Sequence, residues 1–441
     1  MREIARQSVH IAVGSIALTL RWLDWTQAAG LAATAVVFNL LVLPRLAPAV
    51  FRTTHERGTW HSGIVLYPIS VLALTVLFRE RLDLVAAAWG ILAAGDGMAT
   101  LVGTTVRSRR LPWNPDKSVA GLIAFVVSGA TAASLLLVWT RSDLLLMPVV
   151  LLAVAAAGVA GLVETIPLRL DDNVSVPAAA AAVLGTATQT EVSLWIAALP
   201  GLWQLLPAAL GANALVAAAG WVAGTVTVPG AITGLGIGTV VILGAGWPAW
   251  WLLLLTFVLA SASTRFGRAR KAAAGIAEER GGRRGPGNAL ANTGLAAWAA
   301  ALTPGLAVPE AGLIAIVASL ATAGSDTVAS EVGKAFGRTT WSVVTLRAVP
   351  PGTTGAASLE GTLAGAVSAA MIAWMASVLG LIPAAVVPLI AAAATVSSLV
   401  EGVLGATLET RGILNNDTLN FVNAALGTAL TLGVWHLWMS A

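Results

Sequence analysis

The stretch Gly95-Asp96-Gly97-Met98-Ala99-Thr100-Leu101-Val102-Gly103 sets an aspartate inside an apolar run, and most of the pattern around it recurs around Asp326. In the first copy Asp96 is followed by Ala99 and Gly103, then by Ser118 and Gly121, then by Leu162-Val163-Glu164 and the cluster Asp171-Asp172-Asn173. In the second, Asp326 is followed by Ala329 and Gly333, then by Ser358 and Gly361, then by Leu399-Val400-Glu401 and Asn415-Asn416-Asp417. Each piece is common alone. The same order twice identifies two related halves.

The chain around these patterns is built for lipid. Of its 441 residues 57% are hydrophobic and 10% charged, with a mean hydropathy of +0.84, far from the make-up of a soluble domain. A helix needs about 20 apolar residues to cross the hydrocarbon, and run lengths and breakers predict an all-α polytopic membrane protein of about fifteen helices. The expected spans are 8–22, 27–43, 62–78, 83–102, 118–139, 143–163 and 174–187 in one half, and 207–222, 231–246, 247–265, 287–303, 309–329, 356–378, 380–402 and 419–438 in the other. Residues 1–190 and 207–441 form the expected domains, with 191–206, carrying Glu191, Trp195, Pro200 and Trp203, as an interfacial junction. The segment after Arg2 and Arg6 is read as a first span and not as a signal peptide, because no small-residue cleavage site follows it.

With the N-terminus in the cytoplasm, this topology leaves only Arg21, Arg79, Arg81 and Arg141 of the 25 lysines and arginines outside. That is a strong positive-inside bias. It places both repeats at the inner face of a prokaryotic cytoplasmic membrane and orients them in parallel. The isoelectric point near 10.3 is thereby read as topology and not as nucleic-acid binding. The absence of cysteine excludes thiolate metal sites and cysteine nucleophiles. The basic loop 266–286 is a solvated cytoplasmic segment whose Arg283 and Arg284 could also meet phosphate.

Carboxylates at the ends of apolar spans are costly and are functional candidates by default. Asp96, Glu164 and Asp172 in one half, and Asp326, Glu331, Glu401 and Asp417 in the other, supply hard oxygen ligands that suit Mg²⁺. Lys117, Lys334 and Arg347 can neutralise phosphate oxygens. Gly95, Gly103, Asn114, Ser118 and Gly121, and in the second half Ser325, Ser330, Gly333, Ser358 and the turn Gly352-Thr353-Thr354-Gly355, offer close backbone approach and donors for a nucleotide. Such equipment serves phosphoryl or nucleotidyl transfer. No P-loop or protein-kinase signature is present. Gly234-Leu235-Gly236-Ile237-Gly238 is read as helix packing, and His10, one turn before Gly14, is the histidine with a suggestive position.

The first half, with GDGMATLVG, PWNPDKSVAG and LVETIPLRLDDNVSVP and an Arg6/His10 start, resembles the CTP-dependent polyprenol kinases, the family of dolichol and phytol kinases. The resemblance implies nucleotide and metal roles for Asp96, Lys117, Ser118, Gly121, Glu164 and Asp172. The second half, with GNALANTG (Asn288, Asn292), ATAGSDTVASEVGKAFG, PPGTTGAASLEGTLAG and LVEGVLGATLE, is similar to the family that includes plant phytyl-phosphate kinase; Asn288 stands where that pattern carries glutamine. Together they imply a fusion of two consecutive kinases. One would phosphorylate an isoprenoid alcohol such as phytol or geranylgeraniol; the other would convert the isoprenyl monophosphate to the diphosphate, with CTP or another nucleoside triphosphate and Mg²⁺. The alternatives are a CDP-lipid-forming cytidylyltransferase and a lipid-phosphate transporter. The sequence leaves the oligomeric state open.

Overall fold

The computed structural model describes residues 2–47, 59, 62–112, 114–166 and 170–440. Arg52, His55, Arg57, His61 and Arg169 lie outside the described residues. The chain forms two compact units, Met1–Thr188 and Gln189–Ala441. Among the described residues nine helices are long and apolar enough to cross a membrane. This is an all-α membrane protein, with two small hairpins that the sequence reading did not anticipate.

In the first unit α1 (Arg2–Gly14) runs on as a 3₁₀ turn (Ser15–Arg21) and is followed by α2 (Trp25–Leu46), α3 (Gly63–Leu77) and α4 (Leu82–Thr105). A hairpin of β1 (Arg110–Leu111) and β2 (Asn114–Ser118) leads into α5 (Val119–Thr140), α6 (Leu146–Thr165) and α7 (Asp172–Ala187). The second unit has α8 (Val192–Val222), α9 (Val228–Arg265), the short α10 (Arg268–Ala273), α11 (Pro286–Leu302) and α12 (Pro309–Phe336). A hairpin of β3 (Thr340–Ser342) and β4 (Ala356–Ser358) then precedes α13 (Leu359–Val378), α14 (Ala384–Glu409) and α15 (Asn416–Ser440).

One expected boundary disappears and another is kept as a kink. The junction 191–206 and the span 207–222 are one helix, α8, because membrane helices tolerate interior prolines such as Pro200 and Pro207. Its start also belongs to the second unit: Glu191 donates its N–H to Gly305 O, and Trp195 packs on Gly305. The boundary expected between spans 231–246 and 247–265 holds: α9 is two helical stretches joined at a kink at Gly246 (φ 77°), a backbone conformation that favours glycine.

The same succession of helix, hairpin and serine-capped helix builds both units. Of the nine spans, α4 and α12, which carry Asp96 and Asp326, are the most enclosed, with 67% and 78% of their apolar windows buried. Ser118 Oγ accepts from Gly121 N–H at the start of α5, and Ser358 Oγ accepts from Gly361 N–H at the start of α13. These caps sit where two helices nearly touch. A Cβ on Gly121 would lie 3.1 Å from Ala99 O, and one on Gly361 would lie 2.5 Å from Ala329 O. The repeated A-x-x-x-G and S-x-x-G pieces are therefore the two sides of one close helix crossing, used twice.

Candidate functional site

In the first unit α4 delivers Asp96 at the end of a wide π turn, Ile91–Asp96, a distortion that recurs at functional sites. The ends of α6 and α7 bring Glu164 and Asp172 beside it, so that one carboxylate oxygen from each of the three lies within 4.8 Å of the others. From β2, the Lys117 ammonium bonds Glu164 and lies 3.5 Å from Asp172 Oδ2. Burial works against that ammonium charge, but Asp172 and Glu164 more than offset it and hold Lys117 above the ordinary lysine value. Asn114 fixes the hairpin: its Nδ2 donates to Thr165 O at the end of α6, and its Oδ1 accepts from Asp116 N–H.

His10 joins this group from α1. Its Nε2 lies 3.6 Å from Asp96 Oδ2 and 3.3 Å from Leu92 O, and its ring meets Tyr67 edge-on at 4.8 Å. Tyr67 in turn accepts from Trp89 Nε1 at 2.7 Å. The sequence pointed at His10 but gave no sign of Tyr67 and Trp89, whose partners come from other helices.

The second unit gathers its groups differently. Asp326 and Glu401 face one another carboxyl to carboxyl, and Asn423 Nδ2, itself held by Ser397, donates to Glu401 Oε2 at 2.6 Å. Facing carboxylates repel unless a proton or a cation lies between them. They line a polar cavity of about 260 Å³ together with Ser325, Ser330, Gly333, Lys334, the Gly352–Gly355 turn, Ser358, Gly361 and Glu409. Lys334 bonds Glu278 of the basic loop at 2.9 Å. Burial raises the Glu278 carboxyl, but Lys334 outweighs it and leaves Glu278 below the usual range.

Other expected residues lie elsewhere. Glu331 is five residues beyond Asp326, turned about 140° around the helix, and its carboxylate is held by Lys271, 1% exposed, with Lys334 at 3.8 Å. Asp417 lies against Gly287 at the start of α11, where negative charge is favoured; Asn416, its neighbour, lines the cavity instead. Arg347 is exposed, and its carbonyl closes a turn with Ser342. Asn288 and Asn292 line a separate apolar cavity. Gly95 packs on Phe125, and Gly103 packs on Ser118 and Gly121, so these two are helix-crossing residues. Lys271 and Asn423 escaped sequence reasoning; a lysine in a charged loop and an asparagine inside an apolar helix were the only signals.

The first group suits Mg²⁺ by donor chemistry: Asp96, Glu164 and Asp172 are hard oxygen donors within reach of one another. The Asp326–Glu401 pair offers two such donors, and a shared proton as well as a cation would relieve it.

Comparison with known proteins matches residues 211–428 to the family described as integral membrane protein DUF92. A membrane protein of Synechocystis is 39% identical over 209 residues, 45% of this chain and 78% of that protein. The chloroplastic protein VTE6 of Arabidopsis thaliana is 35% identical over 203 residues, 44% of this chain and 61% of VTE6. Probable phytol kinase 1 of rice is 32% identical over 127 residues, 26% of this chain and 39% of the kinase. The chain thus spans less than two thirds of the plant relatives' length. No solved structure matches. By the extent and identity of the Synechocystis match, this chain belongs to the DUF92 family of integral membrane proteins.

Proposed function

We propose that the protein is a two-site isoprenoid kinase of the cytoplasmic membrane. The first unit phosphorylates a prenyl alcohol such as phytol or geranylgeraniol, and the second phosphorylates the resulting monophosphate to the diphosphate, with CTP or another nucleoside triphosphate as donor. The observation that carries this reading is the doubled arrangement itself: in each unit the most enclosed helix bears an aspartate beside a serine-capped crossing, and a carboxylate from a later helix meets it. The relative named as a probable phytol kinase supports the substrate class.

In the first unit Lys117 would take a share of the charge on a donor phosphate, and Asp96, 3.6 Å from His10, would receive the proton of the substrate hydroxyl. Asp96, Glu164 and Asp172 would hold Mg²⁺, which would neutralise phosphate oxygens when bound. In the second unit Asp326 and Glu401 would hold the ion, while Lys334 and the Gly352–Gly355 turn offer charge and backbone donors to phosphate inside the cavity. The acceptor there is a phosphate that needs no proton removed near neutral pH, which fits a site without a histidine among its lining residues.

The test is purified full chain with phytol, geranylgeraniol or farnesol and each of CTP, ATP, GTP and UTP, with mono- and diphosphate products resolved. The reading expects nucleoside diphosphate release and both lipid products. A CDP-lipid with release of inorganic diphosphate, or movement of lipid phosphate across vesicles without turnover, would replace it.

A further inference from the structure

A second cavity in the Gln189–Ala441 unit, of about 130 Å³, opens on another face of α12: Ala323, Gly324 and Thr327 line it, whereas Ser325, Asp326 and Ser330 line the polar cavity. Its walls are apolar, with Val216 from α8, Ile237, Leu253 and Phe257 from α9, and Ala289 from α11. The glycine run on α9 shapes it. Gly238 packs on Asn213, but a Cβ on Gly234 would meet nothing within 4 Å. Gly234 therefore keeps space open where the sequence suggested only helix packing.

Besides Asn213 and three threonines, the polar lining comes from residues 284–292 at the start of α11. Arg284, Asn288 and Asn292 face the cavity there, and the Arg284 guanidinium donates to Asn288 Oδ1 at 3.3 Å. Among the described residues that is its one side-chain hydrogen bond, and no carboxylate lies within ion-pair distance of it. Burial works against its charge and pulls Arg284 below the ordinary arginine value, partly countered by Glu278 and Glu331. An anion at this place would offset that cost. Glu278 also bonds Lys334, which lines the polar cavity, so the charged wall of the apolar cavity and the rim of the polar cavity share one loop.

An apolar cavity with an arginine in its wall that meets no carboxylate at ion-pair distance among the described residues fits a single-chain amphiphile with a phosphate head. We infer that the cavity holds the head-proximal part of the isoprenoid chain of the second unit's monophosphate substrate before transfer, with Arg284 and Asn288 meeting the phosphate on its way to the polar cavity. A dry apolar cavity of about 150 Å³ takes a benzene-sized guest, so only part of the chain is enclosed and the remainder runs out into lipid. This assignment rests on the prenyl-phosphate reading of the second unit.

The test is photo-crosslinking of the full chain in nanodiscs with geranylgeranyl monophosphate carrying a diazirine on its head-proximal isoprene unit, followed by mapping of the labelled peptides. Label is expected on the cavity-lining stretches of α8, α9, α11 and α12, competed by unlabelled geranylgeranyl monophosphate and not by phosphatidic acid. Arg284→Gln and Gly234→Leu should each lower labelling about tenfold, while Asp326→Asn, which stops turnover, should keep it. Label confined to helices that do not line the cavity, equal competition by phosphatidic acid, or undiminished labelling in both cavity variants overturns the assignment. If a variant fails to fold, the label map and competition in the unsubstituted chain decide alone. A chain that labels here yet makes no diphosphate refutes the proposed activity and leaves the cavity standing; one that makes diphosphate with label elsewhere does the reverse.

Discussion

The two units share a scaffold and differ in where they keep their charges. Each has a serine-capped helix crossing the aspartate-bearing helix over paired glycines. In the first, Lys117 comes from the hairpin and sits between Glu164 and Asp172. In the second, Ala357 occupies that hairpin position, and Lys334 comes from the aspartate helix itself, tied to Glu278 of the basic loop. Backbone approach, set by packing, is alike in both, and charge placement is not. An alcohol and a phosphate monoester are two acceptors that would call for such a difference.

The comparison breaks most visibly if the lysines are removed. Lys117→Met should lower alcohol phosphorylation by about 10²–10³-fold, the scale of one lost charge-stabilising donor, and leave monophosphate conversion untouched. Lys334→Met should do the opposite. Steady-state rates with each acceptor supplied separately would check both, and a common loss would merge the two sites into one.

A smaller contrast lies in the crossings. Gly361→Ala puts a methyl 2.5 Å from Ala329 O, whereas Gly121→Ala puts one 3.1 Å from Ala99 O. Overpacking costs of about 3 and about 1 kcal/mol are expected respectively, read as thermal unfolding in detergent. Equal costs would mean that the two crossings are not equally rigid versions of one device. Asn423→Leu should fall between these, about 2 kcal/mol, because it leaves Glu401 without its amide donor.

The weakest contrast is in pH. Lys117 is raised from 10.5, so its contribution is fully present below that value and is lost only as pH rises through its higher folded value. Glu278 is lowered from 4.5, so its contribution is present above that value and is lost as pH falls through its lower folded value. The hairpin of the first unit should loosen in alkali and the basic loop of the second in acid, as hydrogen exchange at 114–118 and 274–284 would report. With the Glu278 side chain 47% exposed, the second effect should be slight.

The repeat made the two aspartate helices, the serine caps and the glycine crossings legible, because small residues at fixed spacing along a helix determine what can approach it. The helical class followed from hydropathy for a similar reason. What could not be read was which charges meet across elements. Glu331 reads as a ligand by sequence, but in the fold it faces away from Asp326 and meets Lys271, sixty positions away, and Asn423 reads as any polar residue in an apolar helix, but in the fold it meets Glu401. The hairpins were hidden because PWNPDKS and TTWS carry no alternation of apolar and polar residues.

The central claim, two independent sites on one scaffold, is tested most directly by supplying prenyl alcohol and prenyl monophosphate separately to Asp96→Asn and Asp326→Asn chains of verified fold. Asp96→Asn should make no monophosphate from alcohol yet convert supplied monophosphate to diphosphate, and Asp326→Asn should accumulate monophosphate and go no further. Loss of both conversions in either folded variant would contradict the account.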